Sequence, residues 1–193
     1  MRKKRRIRRP IRALPRRSVV LAQDETDLRL FPPLRAAWSK GGEAARVWLS
    51  GRHARRVIFG AMNLRTGTRL LVPRQKGRSG DFQAFLAEVR SHYRGWHVAL
   101  LLDEDPCHPA KASLRQAEGM TLLWLPNRAS KLNPLDTLWG QAKDVIRANE
   151  QYTTIEAHVD RFLEYVAGLT NGEALHTSGV LSGGFWLKGV LSN

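Results

Sequence analysis

Residues 96–105 read WHVALLLDED, an apolar run that ends in three acidic residues. Because the run is apolar at successive positions rather than at alternate ones, it is typical of a central strand that is covered on both faces. A second run of this kind, MTLLWLP, occupies residues 120–126. Between the two runs, PAKASLRQAEG (residues 109–119) begins with a proline and ends with a glycine, as a short helix does. The stretch therefore predicts two buried strands joined by a crossover helix.

Upstream of this stretch, the pattern predicts a strand meander followed by a helix. The first predicted strand is SVVLAQDET (residues 18–26). After a loop marked by Pro and Gly, two or three further strands are predicted in RVWLSG (46–51), RRVIFGAMNL (55–64) and TRLLVPR (68–74). Residues 80–93 (GDFQAFLAEVRSHY) then place large apolar side chains at helical spacing, with Asp81 as the predicted N-cap.

Downstream, residues 133–149 and 154–169 carry apolar side chains at helical spacing and predict two more helices. Residues 176–193 are rich in Gly and Ser and are predicted only as a packed or frayed tail. The predicted order is β-β-β-α-β-α-β-α-α. This order favours a single α/β domain over residues 18–193, with a mixed sheet and helices on its faces.

The net charge of +15 is concentrated at the N-terminus, where residues 1–17 hold ten Lys or Arg and no acid. We expect this segment to be a disordered basic arm that condenses onto nucleic acid. A passive, solubilising leader remains the alternative, because basic runs are weak motifs. The arm residues predicted to contact DNA phosphates are Arg2, Lys3, Lys4, Arg5, Arg6, Arg8 and Arg9.

Composition excludes several other classes of protein. A single cysteine, Cys107, rules out an intramolecular disulfide framework and favours a reducing compartment. No apolar run approaches the ~18 residues that a membrane span needs, and no apolar signal segment follows the basic N-terminus. We therefore expect a cytoplasmic protein with no membrane partner.

Three aspartates stand at matching ends of predicted elements. Asp24 ends the first strand, Asp103 ends the long buried strand, and Asp136 opens the helix after the last strand. If the two strands are neighbours, their carboxylates converge with no cationic side chain beside them, which is costly unless a divalent cation is bound. Three such groups suit two Mg²⁺ or Mn²⁺ ions ~3.5–4 Å apart, and hence phosphoryl transfer on nucleic acid.

Each aspartate also has a purely structural interpretation when it is taken alone. Acids commonly follow strands. Asp136 falls in the first turn of a helix that Asn133 would cap and Pro134 would begin, where a negative charge favours the helix dipole by ~0.3–1 kcal/mol. Their joint occurrence, together with the basic charge, favours the functional interpretation.

Two longer strings resemble a known family. LLLDEDPCH (100–108) and WLPNRASKLNPLDTLWGQAK (124–143) resemble the D-N-x-x-x-H and P-x-x-S-P-x-L-N-P-I-E-x-x-W-x-x-x-K signatures of DDE/DDD transposases, in the bacterial insertion-sequence branch of the mariner superfamily. AQDET (22–26), WSKGG (38–42) and GVLSGGFWLK (179–188) are similar to the same family. The resemblance covers approximately residues 18–187, and N-P-L-D-x-L-W-x-x-x-K is its most specific part.

The resemblance implies a ribonuclease H-like five-stranded sheet and metal-dependent cleavage and strand transfer of DNA. It assigns Asp24, Asp103 and Asp136 as the catalytic metal ligands, a DDD set. His108 and Asn133 would orient the ligands or the substrate, Trp139 would pack against the sheet, and Lys143 would meet a DNA phosphate or project into solvent.

The chain departs from the family pattern in three places. Ala129 and Ser130 replace the serine and proline that the family has before the N-P motif. Glu104 stands where the family has asparagine, directly beside the second metal ligand. No helix-turn-helix module precedes residue 18, so specific recognition of element ends would need a separate subunit. The resemblance further implies a homodimer acting on double-stranded element ends and target DNA, associated with a bacterial nucleoid. The alternatives are a catalytically silent DNA-binding remnant and a nuclease of the same fold.

Overall fold

The computed structural model describes residues 2–31, 40–41, 53–126, 129–147 and 152–191. A five-stranded sheet forms the centre, in the order β3-β2-β1-β4-β5. The strands are β1 (Ser18–Arg29), β2 (Arg55–Asn63), β3 (Arg69–Arg74), β4 (His97–Leu102) and β5 (Thr121–Trp124). The helices are α1 (Arg2–Arg12), α2 (Ser79–His92), α3 (Lys111–Gln116), α4 (Pro134–Arg147), α5 (Ile155–Gly168), α6 (Asn171–Thr177) and α7 (Lys188–Leu191).

The pairing of the strands gives a mixed sheet, as predicted. β1, β2 and β3 form an antiparallel meander, whereas β4 pairs with β1 in parallel and β5 pairs with β4 in parallel. From β1 to α5 the elements follow the predicted order β-β-β-α-β-α-β-α-α. The strand predicted at residues 46–51 lies outside the described residues.

Both faces of the sheet are covered, because neighbouring side chains of a strand point to opposite faces. In β1, Val20, Ala22 and Leu28 contribute to a core with α4 and α5, whereas Val19 and Leu21 contribute to a second core with α2. This arrangement explains why β1 and β4 are apolar at successive positions rather than at alternate ones.

Close packing of α4 on the sheet depends on a glycine in β2. A Cβ atom at Gly60 would lie 2.4 Å from Cζ2 of Trp139, closer than any real contact between such atoms. Because Gly60 has no side chain, the Trp139 indole can pack directly against the backbone of β2. Trp139 is 3% exposed, so the prediction that it packs against the sheet is confirmed.

The N-terminal segment differs from its prediction as a disordered arm. Residues Arg2–Arg12 form α1, which packs against α7 and β5. Ile7 and Ile11, four residues apart on one helical face, are 3% and 4% exposed and join the α4–α5 core. These two isoleucines, among eight basic residues of the helix, bury one side of α1, and Arg8 adds a hydrogen bond from its Nε to the Trp186 carbonyl.

The structure also shows how the C-terminal tail packs and where α2 begins. The C-terminal tail is packed rather than frayed: Leu187 is fully buried, and the Trp186 indole Nε1–H donates to the Leu132 carbonyl over 3.0 Å. α2 begins at Ser79, so Asp81 lies within its first turn and is not the N-cap; its carboxylate accepts a hydrogen bond from the Arg78 amide over 3.1 Å. Among the described helices, none is long and apolar enough to cross a membrane.

Candidate metal centre

The parallel pairing of β1 with β4 brings Asp24 and Asp103 to the same edge of the sheet. The ladder runs from Ser18 opposite His97 to Ala22 opposite Leu101. Asp24 lies two residues beyond this ladder within β1, and Asp103 directly follows the last residue of β4. Because β1 continues to Arg29, the prediction that Asp24 ends the first strand is wrong. Alternation within β1 directs the Asp24 side chain to the face that α4 covers, since Ala22 belongs to that core.

Asn133 fixes the start of α4 to the same strand edge. Its side-chain Nδ2 donates to the Gln23 carbonyl over 2.7 Å, and its Oδ1 accepts from the Leu135 amide over 3.2 Å. Both contacts are buried. The hydrogen bond to Gln23 ties the start of α4 to β1. The hydrogen bond from Leu135 satisfies a free amide in the first turn of α4, as predicted from the Asn-Pro pair. Asp136, in the first turn of α4, is thereby held near Asp24.

The electrostatics of Asp24 indicate that the acids lie near one another. Burial raises the pKa of Asp24, and the negative charges of Glu25, Asp103 and Asp136 raise it further, to about 8. Desolvation and like-charge repulsion both disfavour a second or third anion at such a site. The three predicted aspartates are therefore close enough to interact, although each comes from a different element.

His108 holds the loop after β4 from the other side. The imidazole is 1% exposed and packs 4.3 Å, centroid to centroid, from the Phe82 ring. Its Nδ1 donates to the Asp103 carbonyl over 3.0 Å and lies 3.2 Å from Asp103 Oδ1, while its Nε2 lies 2.6 Å from Oε1 of Glu25. His108 thus ties Asp103 to β1 and fixes the direction of the Asp103 side chain.

The charge of His108 corrects one expectation from the sequence. Burial opposes the charged imidazolium, but hydrogen bonds with Asp103, Cys107 and Glu25 outweigh it and raise the pKa of His108 to about 12. The hydrogen bond from His108 in turn holds the pKa of Asp103 below its usual value. The acids therefore do have a cation beside them, which balances Glu25 and Asp103 but leaves Asp24 uncompensated.

An open, acid-lined cleft of about 260 Å³ gives access to this cluster. The side chains that line it are mostly carboxylates. They are Asp24, Glu25, Asp27, Asp103 and Asp105, joined by Arg55, Val57, Phe59, Gly77 and Cys107. Arg55 forms an ion pair with Asp27, in which Arg55 Nη2 lies 2.7 Å from Asp27 Oδ1. The cleft consequently presents net negative charge to the surface.

Glu104 does not lie where the sequence placed it. Instead of lining the acid cleft beside the metal ligands, it is exposed and lines a separate groove between α1 and β5. The chain turns at this point, since the Asp103 carboxylate accepts a hydrogen bond from the Asp105 amide over 3.1 Å, and Glu104 lies on the outside of that turn. Lys143, two turns after Asp136 on α4, is half-buried.

The basic residues of α1 divide into two groups. Lys4, Arg5, Arg6 and Arg9 are exposed. Arg8, which the sequence assigned to DNA, instead donates from Nε to the Trp186 carbonyl over 2.8 Å and so anchors the C-terminal tail.

Glu25 is the residue that sequence reasoning missed. It was considered only as an acid at the end of a strand, yet it is the partner of the buried His108. Adjacent residues of a strand face opposite sides of the sheet. The position of Glu25 directly after Asp24 therefore indicates that the two acids belong to different surroundings. Asp24 faces α4, whereas Glu25 faces the second core and the loop that carries His108.

The donor set fits a divalent cation. Mg²⁺ and Mn²⁺ prefer oxygen ligands, and the three aspartates supply carboxylates only. A dication among Asp24, Asp103 and Asp136 would relieve the repulsion that raises the pKa of Asp24. We therefore regard these three side chains as the residues that could hold a metal ion.

The fold is shared with solved transposase structures. The Mos1 mariner paired-end complex with Mn matches the whole chain with a TM-score of 0.69 and 16% identity, covering 62% of that protein. The isolated catalytic domain of Mos1 mariner transposase matches 98% of this chain and 92% of its own, with a TM-score of 0.62 and 14% identity. The fold is therefore ribonuclease H-like, as predicted.

Sequence comparison identifies the family. Residues 19–158 match the DDE superfamily endonuclease family, and the chain belongs to it. An insertion element IS630 uncharacterized 39 kDa protein of Shigella sonnei is 24% identical over 80% of this chain, which spans 47% of that protein. The uncharacterized protein y4pE/y4sA of Sinorhizobium fredii is 33% identical over 52% of this chain, which spans 77% of it.

Replacing Asp24 by asparagine should stabilise the metal-free protein in a pH-dependent way. Because the folded protein holds the Asp24 proton up to about pH 8 and the unfolded chain loses it near its ordinary pKa of 3.8, wild-type stability falls as pH rises through that window. Asp24→Asn lacks this loss. Its free energy of unfolding should exceed that of wild type by up to about 5 kcal/mol at pH 8 and by almost nothing at pH 4.

Urea unfolding in EDTA across this pH range measures the difference. Asp160→Asn, at an exposed position of α5, is the matched control and should show no such pH trend. An Asp24→Asn variant that gains no stability between pH 4 and pH 8 would contradict the crowding of the carboxylates.

Proposed function

We propose that this chain is the catalytic domain of a DNA transposase, which cleaves DNA strands with the help of divalent metal ions and transfers them during transposition of an insertion sequence. The observation that carries the proposal is the gathering of Asp24, Asp103 and Asp136 from three separate elements, in a chain of the DDE endonuclease family. A purely structural origin does not account for three acids that destabilise one another.

Asp24, Asp103 and Asp136 would hold one or two Mg²⁺ or Mn²⁺ ions. Bound there, the metal would supply Lewis-acid activation of a water or 3′-hydroxyl and stabilisation of the leaving oxygen. The solved Mos1 structures include complexes with Mn and with Mg. The remaining residues would position these ligands: His108 through the Asp103 loop, and Asn133 through the first turn of α4.

Double-stranded DNA is the proposed partner. Structures of Mos1 include a paired-end complex with the left transposon end and a strand transfer complex. In the present chain, the acid cleft is unfavourable to phosphates unless metal is bound, whereas α1 exposes Lys4, Arg5, Arg6 and Arg9. We propose that α1 contacts the DNA backbone as an ordered helix, and that metal ions make the cleft accept the scissile phosphate.

The assembly around this domain is also a proposal. The chain spans about half the length of the IS630 relative and 62% of Mos1 in its paired-end complexes. Specific recognition of element ends would come from a helix-turn-helix module, which we place on a separate subunit, and two copies would act together on paired ends at the bacterial nucleoid.

A catalytically silent DNA-binding remnant is the second candidate. Its main support in the sequence was Glu104, as an extra charge beside the metal ligands. Since Glu104 lines a different groove, this support is weakened. The two candidates differ in one observable, which is cleavage.

We expect the protein to nick supercoiled plasmid in the presence of Mg²⁺ or Mn²⁺. Asp24→Asn, Asp103→Asn and Asp136→Asn should each reduce nicking to the background of plasmid alone, because each removes a carboxylate ligand. DNA affinity should stay equal or rise slightly, since one negative charge near the phosphates is lost. Asp160→Asn is the control that should nick like wild type. Nicking that persists in all three variants would refute the assignment, and DNA binding without nicking by wild type would favour the silent remnant.

Removal of the exposed charges of α1 should flatten the salt dependence of DNA binding. Each lost phosphate contact lowers the slope of log affinity against log salt by ~0.9 for duplex DNA. The triple variant Arg5→Ala, Arg6→Ala and Arg9→Ala should therefore have a shallower slope in fluorescence anisotropy titrations at several salt concentrations. A control that removes equal charge elsewhere combines Arg65→Ala, Lys111→Ala and Arg115→Ala, all at exposed positions. Equal slopes in the two triple variants would show that α1 has no special role.

A further inference from the structure

A second cluster of potential metal ligands lies beside the three aspartates. Glu25, Cys107 and His108 each offer one donor atom, and these atoms all lie within 4.8 Å of one another. Glu25 comes from β1, and the other two residues come from the loop after β4. Glu25 and Cys107 also line the acid cleft, so an ion could reach the cluster from solvent.

The donor chemistry of this cluster differs from that of the aspartates. A thiolate, an imidazole and a carboxylate form the mixed sulfur, nitrogen and oxygen set that Zn²⁺ and related transition metals prefer. Mg²⁺ takes oxygen ligands and would be poorly served by a thiol. Three protein ligands next to an open cleft leave a fourth position for water, which is the usual arrangement of an open zinc site.

His108 is already oriented in the way a metal-bound histidine is. Its Nδ1 donates to the Asp103 carbonyl over 3.0 Å, which leaves Nε2 directed towards Glu25 at 2.6 Å. Histidines that bind metals almost always donate their second ring N–H to a carbonyl or carboxylate in this manner. The ring is further held by the Phe82 side chain.

Cys107 is held by its backbone on both sides. Its amide donates to Oδ1 of Asp105 over 3.0 Å, and its carbonyl accepts from the hydroxyl of the fully buried Ser113 over 2.7 Å. Ser113 in turn lies 3.0 Å, oxygen to oxygen, from the Ser79 hydroxyl at the start of α2. The loop is therefore fixed to two helices, so two of the three ligands are already in place.

Only a small movement would be needed to admit an ion. Bonds of ~2.0–2.1 Å to nitrogen and oxygen in a tetrahedral site imply about 3.3 Å between those two atoms. The present separation of 2.6 Å between His108 Nε2 and Glu25 Oε1 suits a shared proton instead. A shift of the Glu25 carboxylate by less than about 1 Å would open the site. This side chain is 19% exposed, and the shift would loosen the hydrogen bond that its Oε1 accepts from Gln23 Nε2 over 3.1 Å.

We propose that Glu25, Cys107 and His108 form a binding site for Zn²⁺ that is distinct from the Mg²⁺ or Mn²⁺ ligands. Binding would displace the thiol proton of Cys107 and the proton on His108 Nε2 to solvent, and Nδ1 would keep its hydrogen bond to Asp103. No electron transfer is involved. The occupied site would place a dication next to the aspartates, where it repels a second dication.

Because of this repulsion, we expect Zn²⁺ to inhibit the Mg²⁺-dependent reaction, an expectation that rests on the proposed DNA cleavage. The ion would also take Glu25 away from His108, and so loosen the hold of β1 on the loop that carries Asp103. Zn²⁺ binding itself requires no cleavage activity, and it is tested separately.

Titration of the full chain with Co²⁺, used as a spectroscopic substitute for Zn²⁺, tests the site directly. A thiolate ligand gives a near-ultraviolet charge-transfer band, and Cys107 is the only cysteine of the chain, so the band reports this residue alone. We expect the band to saturate at one Co²⁺ per chain and to disappear when Zn²⁺ is added. Cys107→Ser should abolish it.

Two further variants distinguish the site from other modes of binding. Glu25→Gln keeps the shape and a hydrogen-bond acceptor for His108 but removes the charged ligand, so it should weaken Co²⁺ binding at least tenfold. Asp136→Asn removes a ligand of the neighbouring site and should leave the band unchanged. Absence of the band in wild type would overturn the proposal, as would a band that is insensitive to Glu25→Gln, because a cysteine bridging two chains does not need Glu25.

A nicking assay then tests the inhibitory role. Zn²⁺ added to the Mg²⁺ reaction should inhibit wild type at concentrations that saturate the Co²⁺ site, whereas the nicking rate of Cys107→Ser, measured relative to its own zinc-free rate, should not fall. Equal inhibition of both would overturn the regulatory part of the proposal. If wild type shows the band but never nicks, the proposed DNA cleavage fails and the Zn²⁺ site stands.

Discussion

The parallel pairing of β1 with β4 is the constraint on which the rest of the structure depends. It places the middle of β1 beside the carboxyl end of β4, so that Asp24 lies near Asp103, the residue that follows β4. Gly60 of β2, which lies opposite Asp24, leaves room for Trp139, and Asn133 fastens the start of α4 to β1. The third carboxylate, Asp136, is thereby brought to a position that no strand could supply.

This gathering of like charges works against folding, and the surroundings offset only part of the cost. His108 balances Glu25 and Asp103, and Arg55 balances Asp27. Among the described residues, Asp24 forms no ion pair with a cation, and burial together with the neighbouring carboxylates raises the pKa of its carboxyl to about 8. Sites that bind a dication commonly retain this kind of destabilising arrangement, because the ion itself supplies the missing positive charge.

The sequence predicted the elements of the sheet well, because successive apolar positions and helical spacing depend on local pattern. It also predicted that three aspartates come near one another, although Asp24 lies inside β1 and not at its end as expected. It did not predict α1, because ten charges in residues 1–17 concealed the two isoleucines whose burial depends on distant partners in α7 and β5. The predicted roles of Glu25 and Glu104 were also wrong. The direction of an acidic side chain depends on its place in a strand or turn and on the elements packed against it, and the sequence of an acidic cluster does not contain that information.

The central claim is that Asp24, Asp103 and Asp136 form one metal-binding centre. The most direct measurement is a crystal structure of the chain grown with Mn²⁺, with the ion located by its anomalous scattering. The account predicts a Mn²⁺ peak coordinated by carboxylate oxygens of Asp24 and Asp103 on the α4 side of the sheet edge, with Asp136 as a third ligand to this ion or to a second one. A peak held by Asp27 and Asp105 at the mouth of the cleft, or a cleft without Mn²⁺ in those crystals, would contradict it.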